Sequence, residues 1–377
     1  MPRIAIIIEK DLGTKRGGIE QSVFYTVEQL LELDKGNEYL FIKDLSNKSF
    51  PNHNAIRVKM PETPFQKSVL LGFQIPKIVG NYKLDIVHDF AQIGPFWRKS
   101  RAKYIQTIND LFPITHPELT TSKISTLVYK YYLPILLENI SAIVSSSMST
   151  KKLLEQYYPK VKNKIFVIPH GVSKNHGRIE KRCWPSKIDK KKKYFLFIGS
   201  INPRKNIKTI IKAFDSFCES TEDKSFLYLA GAKGWNYAEV FDSIERSKFN
   251  SRIKYLGHIS EEEKKTLLKN ALALLYPSIA EGFGLPILEA FALKTPIITT
   301  RVLSLPEIGG KAALYLEDPF DYKTLASIMK KVTIDKKLTK KLAELGTEQV
   351  KKFSWEKTAK SLISLYNFLT DENTSNS

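Results

Sequence analysis

Cysteine is nearly absent. Cys183 and Cys218 are the only two in 377 residues, too few for a disulfide framework and without metal-ligand spacing, so the cytosol is the expected compartment. Long apolar runs are missing too: no window approaches the roughly 18 to 20 apolar residues of a membrane span, and the longest, such as residues 271–277, are strand-sized. The run Ile4–Ile8 is too short for a signal peptide, and charge resumes at Glu9 and Asp11, so it reads as a buried first strand. There is no repeat at a solenoid period, and no low-complexity segment beyond a lysine run. No G-x-G-x-x-G follows a strand, which argues against a nicotinamide dehydrogenase.

What is present is an ordinary globular composition, 42% hydrophobic, 26% charged and 11% aromatic, in a chain long enough for two domains. Negative charge is the minority: 39 Asp and Glu against 59 Lys and Arg leave a net charge of +20. The excess is spread along the chain, with 24 basic against 15 acidic residues in 1–175 and 35 against 24 in 176–377. With no basic arm and no recognised nucleic-acid module, nucleic acid is not expected as a partner; the excess reads either as a general lysine bias of the proteome or as a match to an anionic membrane surface.

Short apolar runs alternate with helical patterns. Ile4–Ile8 is followed by glycines and a helix over Glu20–Leu33, and further strands are expected at 39–42, 86–88, 104–108, 142–144 and 162–168. A polar, basic stretch at 176–193 reads as a linker between domains. The alternation restarts with strand 194–198, helix 207–218, strands 226–230 and 253–256, helix 261–270, strand 273–276, helix 286–293, strand 296–299 and a helix over 321–333. Helices at 336–353 and 355–369 and a frayed polar tail at 370–377 complete it. The expected fold is α/β: two doubly wound parallel sheets, residues 1–175 and 194–354, facing a central cleft, with the helix from 355 packing back on the first domain.

The most informative segment is residues 277–290, Pro-Ser-Ile-Ala-Glu-Gly-Phe-Gly-Leu-Pro-Ile-Leu-Glu-Ala, directly after a strand. Gly282 and Gly284 allow an unusual turn, Pro286 suits the start of a helix, and the exposed amides of Gly282, Phe283, Gly284 and Leu285 can hold a phosphate. Glu281 and Glu289, eight positions apart across that turn, suit the hydroxyls of a nucleotide sugar better than a metal.

This segment resembles the E-x7-E motif of the retaining glycosyltransferase family 4, whose members have two Rossmann-like domains in the GT-B arrangement. Gly17-Gly18-Ile19-Glu20 is similar to the family's glycine loop facing acceptor and donor diphosphate. Pro169-His170-Gly171-Val172 resembles its domain-closing turn, and the stretch Gly199 to Asn206, with Ser200, resembles its basic phosphate loop. The resemblance implies that Glu289 binds the ribose hydroxyls, that Glu281 faces the transferred sugar, and that Arg204 and Lys205 stabilise charge on the departing diphosphate. No D-x-D triplet of a metal-dependent transferase is found, so neither metal nor other cofactor is expected. The local flavour of 110–118 and 281–286 resembles bacterial mannosyltransferases of surface-polysaccharide assembly, which points to GDP-mannose, with UDP-sugars left open because no residue reads the base, and to a lipid-linked or glycan acceptor at the inner face of the cytoplasmic membrane.

One departure is visible. Where many members carry His-Asp after the fourth strand, this chain has Asn109-Asp110. An amide hydrogen-bonds a sugar but carries no proton at neutral pH. His88 and His116 are candidates to compensate, with Ser278 a further donor-side candidate. A catalytically silent nucleotide-sugar-binding subunit is the alternative. Residues 123–140 form an amphipathic pattern, interrupted at Pro134, that suits either lipid headgroups or a core.

Overall fold

The computed structural model describes residues 1–9, 11–12, 17–60, 64–120, 123–173, 176–186 and 188–374. They form two units, Met1–Gly171 with Trp355–Ser377, and Val172–Ser354.

The first unit is built on seven parallel strands: β1 (Arg3–Ile8), β2 (Glu38–Asp44), β3 (Ala55–Val58), β4 (Ile86–Asp89), β5 (Lys103–Ile108), β6 (Ala142–Ser145) and β7 (Ile165–Val167). Their order is β3-β2-β1-β4-β5-β6-β7. In β1 the apolar residues run unbroken because both faces of a parallel sheet are covered. Ile4, Ile6 and Ile8 face a core shared with Val23, Val27, Leu362 and Tyr366, while Ala5 and Ile7 face the opposite core with Leu71, Ile75 and Leu136. The C-terminal helix Trp355–Thr374 thereby belongs to the first unit. It extends to Thr374, past the expected end at 369, so that much of the supposed tail is helical.

The second unit has six parallel strands: β8 (Tyr194–Ile198), β9 (Phe226–Ala230), β10 (Ile253–Gly257), β11 (Leu274–Tyr276), β12 (Ile297–Thr300) and β13 (Ala313–Leu316), in the order β10-β9-β8-β11-β12-β13. Strand order reverses between β8 and β11, as it does between β1 and β4, and loops at such a switch point are where doubly wound sheets bind ligands. Gly231 lets β9 end against β8: a Cβ there would sit 1.9 Å from the Gly199 carbonyl oxygen.

Two expectations are corrected and three elements are added. Residues 176–193 are part of the second unit rather than a linker: His176 is buried, the Cys183 N–H donates to Thr266 Oγ1 (3.1 Å), and Ile188 is buried. Their polarity belongs to exposed turns between these docked residues. The edge strands β3 and β13 and the helix Ala238–Glu245, each short and only partly buried, were not read from the sequence. In 123–139 the break is a π-helical turn, Val128–Tyr132, placed just before Pro134, where the wider turn accommodates the missing proline N–H.

Candidate active site

Two loops meet at the carboxyl ends of β8 and β11. The first runs through Gly199 and Ser200 to Asn206, and the second from Pro277 to Gly284. Asn206 sits in the left-handed region (φ 56°), and its Nδ2 donates to the carbonyls of Pro277 (3.0 Å) and Pro319 (2.6 Å). The Ile279 N–H donates to the Arg204 carbonyl (2.9 Å). From below, Thr300 Oγ1 donates to the Ser278 carbonyl (2.8 Å), and Ser304 Oγ bonds to the carbonyls of Glu281 (2.8 Å) and Phe283 (3.0 Å). The loop is thus fixed before any ligand arrives.

This framework brings Arg204, Lys205 and Glu281 together. Arg204 Nη1 donates to Glu281 Oε2 (3.1 Å) and to the Ala280 carbonyl (3.1 Å). Lys205 Nζ bonds to Glu281 Oε1 and to the Tyr276 hydroxyl (2.7 Å), which itself donates to Glu281 Oε1 (2.9 Å). Burial alone would raise the Glu281 pKa, but Arg204 and Lys205 overcome it and hold the carboxyl at about 2. Lys205 is pushed down to about 8 by burial, against the pull of Glu281. At neutral pH two cations therefore share one carboxylate, leaving one net positive charge. The Arg204 side chain is 23% exposed, so part of it reaches solvent.

Gly284 is the N-cap of the helix Leu285–Ala292, with φ 107°, and a Cβ there would press on Leu305 at 3.0 Å. Glu289, one turn into that helix, is buried and accepts from Lys264 Nζ (2.7 Å), which also pairs with Glu261 (3.0 Å). Burial would lower the Lys264 pKa; Glu289 and Glu261 reverse this and hold it well above the usual range. His176 is close by, its pKa held down to about 4 by burial, with Glu289 pulling the other way.

Other expected residues are placed differently. Ser200 is exposed and its Oγ accepts from Asn202 Nδ2 (2.8 Å). The Phe283 ring is buried edge-on to Phe353, leaving its backbone to face the turn. Ser278 is fully buried and contributes its carbonyl rather than a surface hydroxyl. In the first unit, Gly17 and Gly18 begin the exposed start of the helix Gly18–Leu33, and Gly17 has an ordinary extended backbone (φ −76°). His88 is corrected to a core residue: it is fully buried, bonded to the Tyr366 hydroxyl (2.7 Å) and Thr107 Oγ1 (2.9 Å), and burial pushes its pKa to about 3. His116 closes a short helix locally, with Nδ1 bonded to Thr115 Oγ1 (2.9 Å). Asn109, at the exit of β5, accepts a hydrogen bond from His170 Nε2 at 2.9 Å.

Sequence reasoning missed Tyr276, Lys264 and Ser304. Tyr276 reads as a core aromatic. Lys264 sits in an acidic run, and its signal was register alone: it shares the buried helix face of Leu267 and Leu268. Ser304 carries no local mark.

Paired parallel sheets with loops of this chemistry at their switch points define a GT-B transferase architecture. Residues 179–349 match the family model described as glycosyl transferases group 1, and residues 16–176 match that of glycosyltransferase family 4. The chain belongs to the group 1 glycosyltransferases. It is 35% identical over 176 residues to the O-antigen chain mannosyltransferase B of Escherichia coli, covering 47% of this chain and 46% of that one. To the O-antigen chain mannosyltransferase RfbU of Salmonella typhimurium it is 28% identical over 226 residues, 60% of each chain. These matches span about half to three fifths of the curated relatives' length. The fold is similar to sucrose-phosphate synthase from Thermosynechococcus elongatus, with TM-score 0.80 over 99% of this chain and 100% of that chain at 19% identity.

Proposed function

We infer that the protein is a retaining glycosyltransferase that moves a hexose, mannose before others, from a nucleoside-diphosphate sugar to a lipid-linked or polysaccharide acceptor in bacterial surface-glycan assembly. The supporting observation is the Arg204–Glu281–Lys205 cluster: two cations on one carboxylate, at a switch point, in a loop fixed by backbone bonds. The printed names of the mannosyltransferase relatives support the choice of sugar.

In the transfer, the bond from the anomeric carbon to the diphosphate oxygen breaks and its electron pair leaves with the diphosphate. The acceptor oxygen bonds to that carbon on the same face, and its proton passes to the departing phosphate. Negative charge grows at the leaving group, and Arg204 and Lys205, held in place beforehand, neutralise it without a metal. The amides of Gly282 to Leu285 at the helix start add partial positive charge. Glu289, oriented by Lys264, takes the ribose hydroxyls, and Glu281 faces the sugar.

Among the described residues no helix is long and apolar enough to cross a membrane. A peripheral contact with anionic lipid at the inner membrane face is supported by Ile124, Leu127, Tyr131 and Ile135, each more than half exposed at helical spacing, and by Lys130 over the Tyr131 ring at 5.2 Å.

Slow hydrolysis of GDP-mannose, whose sugar is α-linked, tests the reading. Proton NMR should show α-mannose released first. Release of the β anomer would contradict retention. No release from GDP-mannose or UDP-glucose would favour the silent binding subunit.

A further inference from the structure

We propose that His170 is a positioning residue, which fixes the Asn109 carboxamide so that its Nδ2 amide faces outward as a hydrogen-bond donor to a substrate oxygen. The inference rests on the transferase reading above.

Asn109 is held from three directions. Its backbone N–H donates to Gln92 Oε1 (2.5 Å), its carbonyl accepts from Thr150 Oγ1 (2.9 Å), and its side-chain Oδ1 accepts from His170 Nε2 (2.9 Å). These partners come from the loop after β4, the helix Met148–Tyr157 and the turn after β7. With Oδ1, N–H and C=O all occupied, Nδ2 is the remaining polar group of Asn109, and it has no partner among the described residues. The residue keeps 8% of its surface exposed.

An unrestrained carboxamide can turn over and exchange its donor for its acceptor. A carboxamide oxygen only accepts, so a partner that fixes it must donate. A neutral imidazole with its proton on Nε2 meets that need, and burial holds the His170 pKa down to about 4, which keeps the ring neutral at pH 7. The ring is itself restrained. It lies 5.8 Å from the Trp355 ring, and the carbonyl of the preceding Pro169 accepts from Thr358 Oγ1 (2.7 Å). Asn109 thus presents a donor of fixed direction whose state does not change with pH, and His170 acts only through it.

Two measurements test this. In ring-15N-labelled protein at pH 7, with His170→Gln used to assign the signal, the His170 proton should lie on Nε2, and Asn109→Ala should shift that nitrogen. A ring protonated on Nδ1 alone would overturn the proposal whatever the enzyme does. In nucleoside-diphosphate release from GDP-mannose and UDP-glucose, His170→Phe should lower kcat about tenfold with donor KM within about twofold. His170→Gln, whose amide can still donate to Asn109, should recover most of that loss. In the Asn109→Ala background, His170→Phe should cost nothing further. Equal thermal unfolding of the Phe and Gln variants guards against a folding effect. Independent, multiplicative losses, or a harmless His170→Phe beside a damaging Asn109→Ala, would overturn the positioning role. A fully active Asn109→Ala would remove Asn109 from the site and the proposal with it. If wild type releases neither nucleotide, the transferase reading fails, and the spectrum still decides the His170–Asn109 geometry.

Discussion

Replacing Glu281 by Gln should destabilise the second unit strongly, and the size of the effect follows from the cluster's burial. The Glu281 and Lys205 side chains are 8% and 9% exposed, whereas that of Arg204 is 23% exposed. At an effective dielectric constant of about 20, the 3.1 Å contact to Arg204 is worth about 5 kcal/mol in gross Coulomb terms, before desolvation removes most of it. Glutamine keeps the shape but neutralises the one anion, leaving Lys205 as a buried cation beside Arg204. Breaking a buried pair in this way costs about 3 to 5 kcal/mol. For a unit of this size that lowers Tm by about 6 to 20 °C. Differential scanning calorimetry reads it, and Lys205→Met combined with Glu281→Gln should restore much of the loss by removing the stranded charge. A Glu281→Gln transition within about 2 °C of wild type, or a double variant as unstable as the single one, would refute the reasoning.

Arg204→Ala should chiefly slow transfer, because the guanidinium acts on charge that appears as the bond breaks; kcat should fall at least about tenfold with donor KM changed far less. Acid should destabilise the protein through its buried histidines. His88 and His176 have folded pKa values of about 3 and 4 against 6.5. As pH falls below 6.5 the unfolded chain takes up the protons first, so each costs about 1.4 kcal/mol per pH unit until its folded value is reached. Urea titrations between pH 7 and 4 measure that slope, and His88→Gln should flatten it. Vesicles with anionic lipid should sediment the protein at low salt, and Ile124→Ser with Ile135→Ser should weaken this severalfold without altering Tm; equal binding to neutral vesicles would contradict an electrostatic contribution.

The fold was legible because buried parallel strands are short, unbroken apolar runs, and Ile4–Ile8, Tyr194–Ile198 and Leu274–Tyr276 are of that kind. Edge strands Ala55–Val58 and Ala313–Leu316 are half-exposed and leave a weaker trace. The glutamates were legible because Gly282, Gly284 and Pro286 mark a turn into a helix, and a carboxylate beside such a turn has few structural uses; Arg204 and Lys205 were legible only through the resemblance of residues 199–206 to a phosphate loop. The partners were not. Lys264 meets Glu289 across 25 positions, and His170 meets Asn109 across 61. Such pairings come from strand order, which no local pattern encodes. His88 shows the converse: a histidine at a strand end resembles a site residue until the C-terminal helix supplies Tyr366 as its partner.

The central claim, a nucleoside-diphosphate sugar bound in the second unit, is tested most directly by thermal unfolding with GDP, UDP, ADP and their sugar conjugates. A ligand at about a hundred times its Kd adds about 2.7 kcal/mol. The account predicts a clear rise in Tm with one nucleotide, GDP first, that is lost in Glu289→Ala. An unchanged Tm with every nucleotide, or a rise that survives Glu289→Ala undiminished, would contradict it.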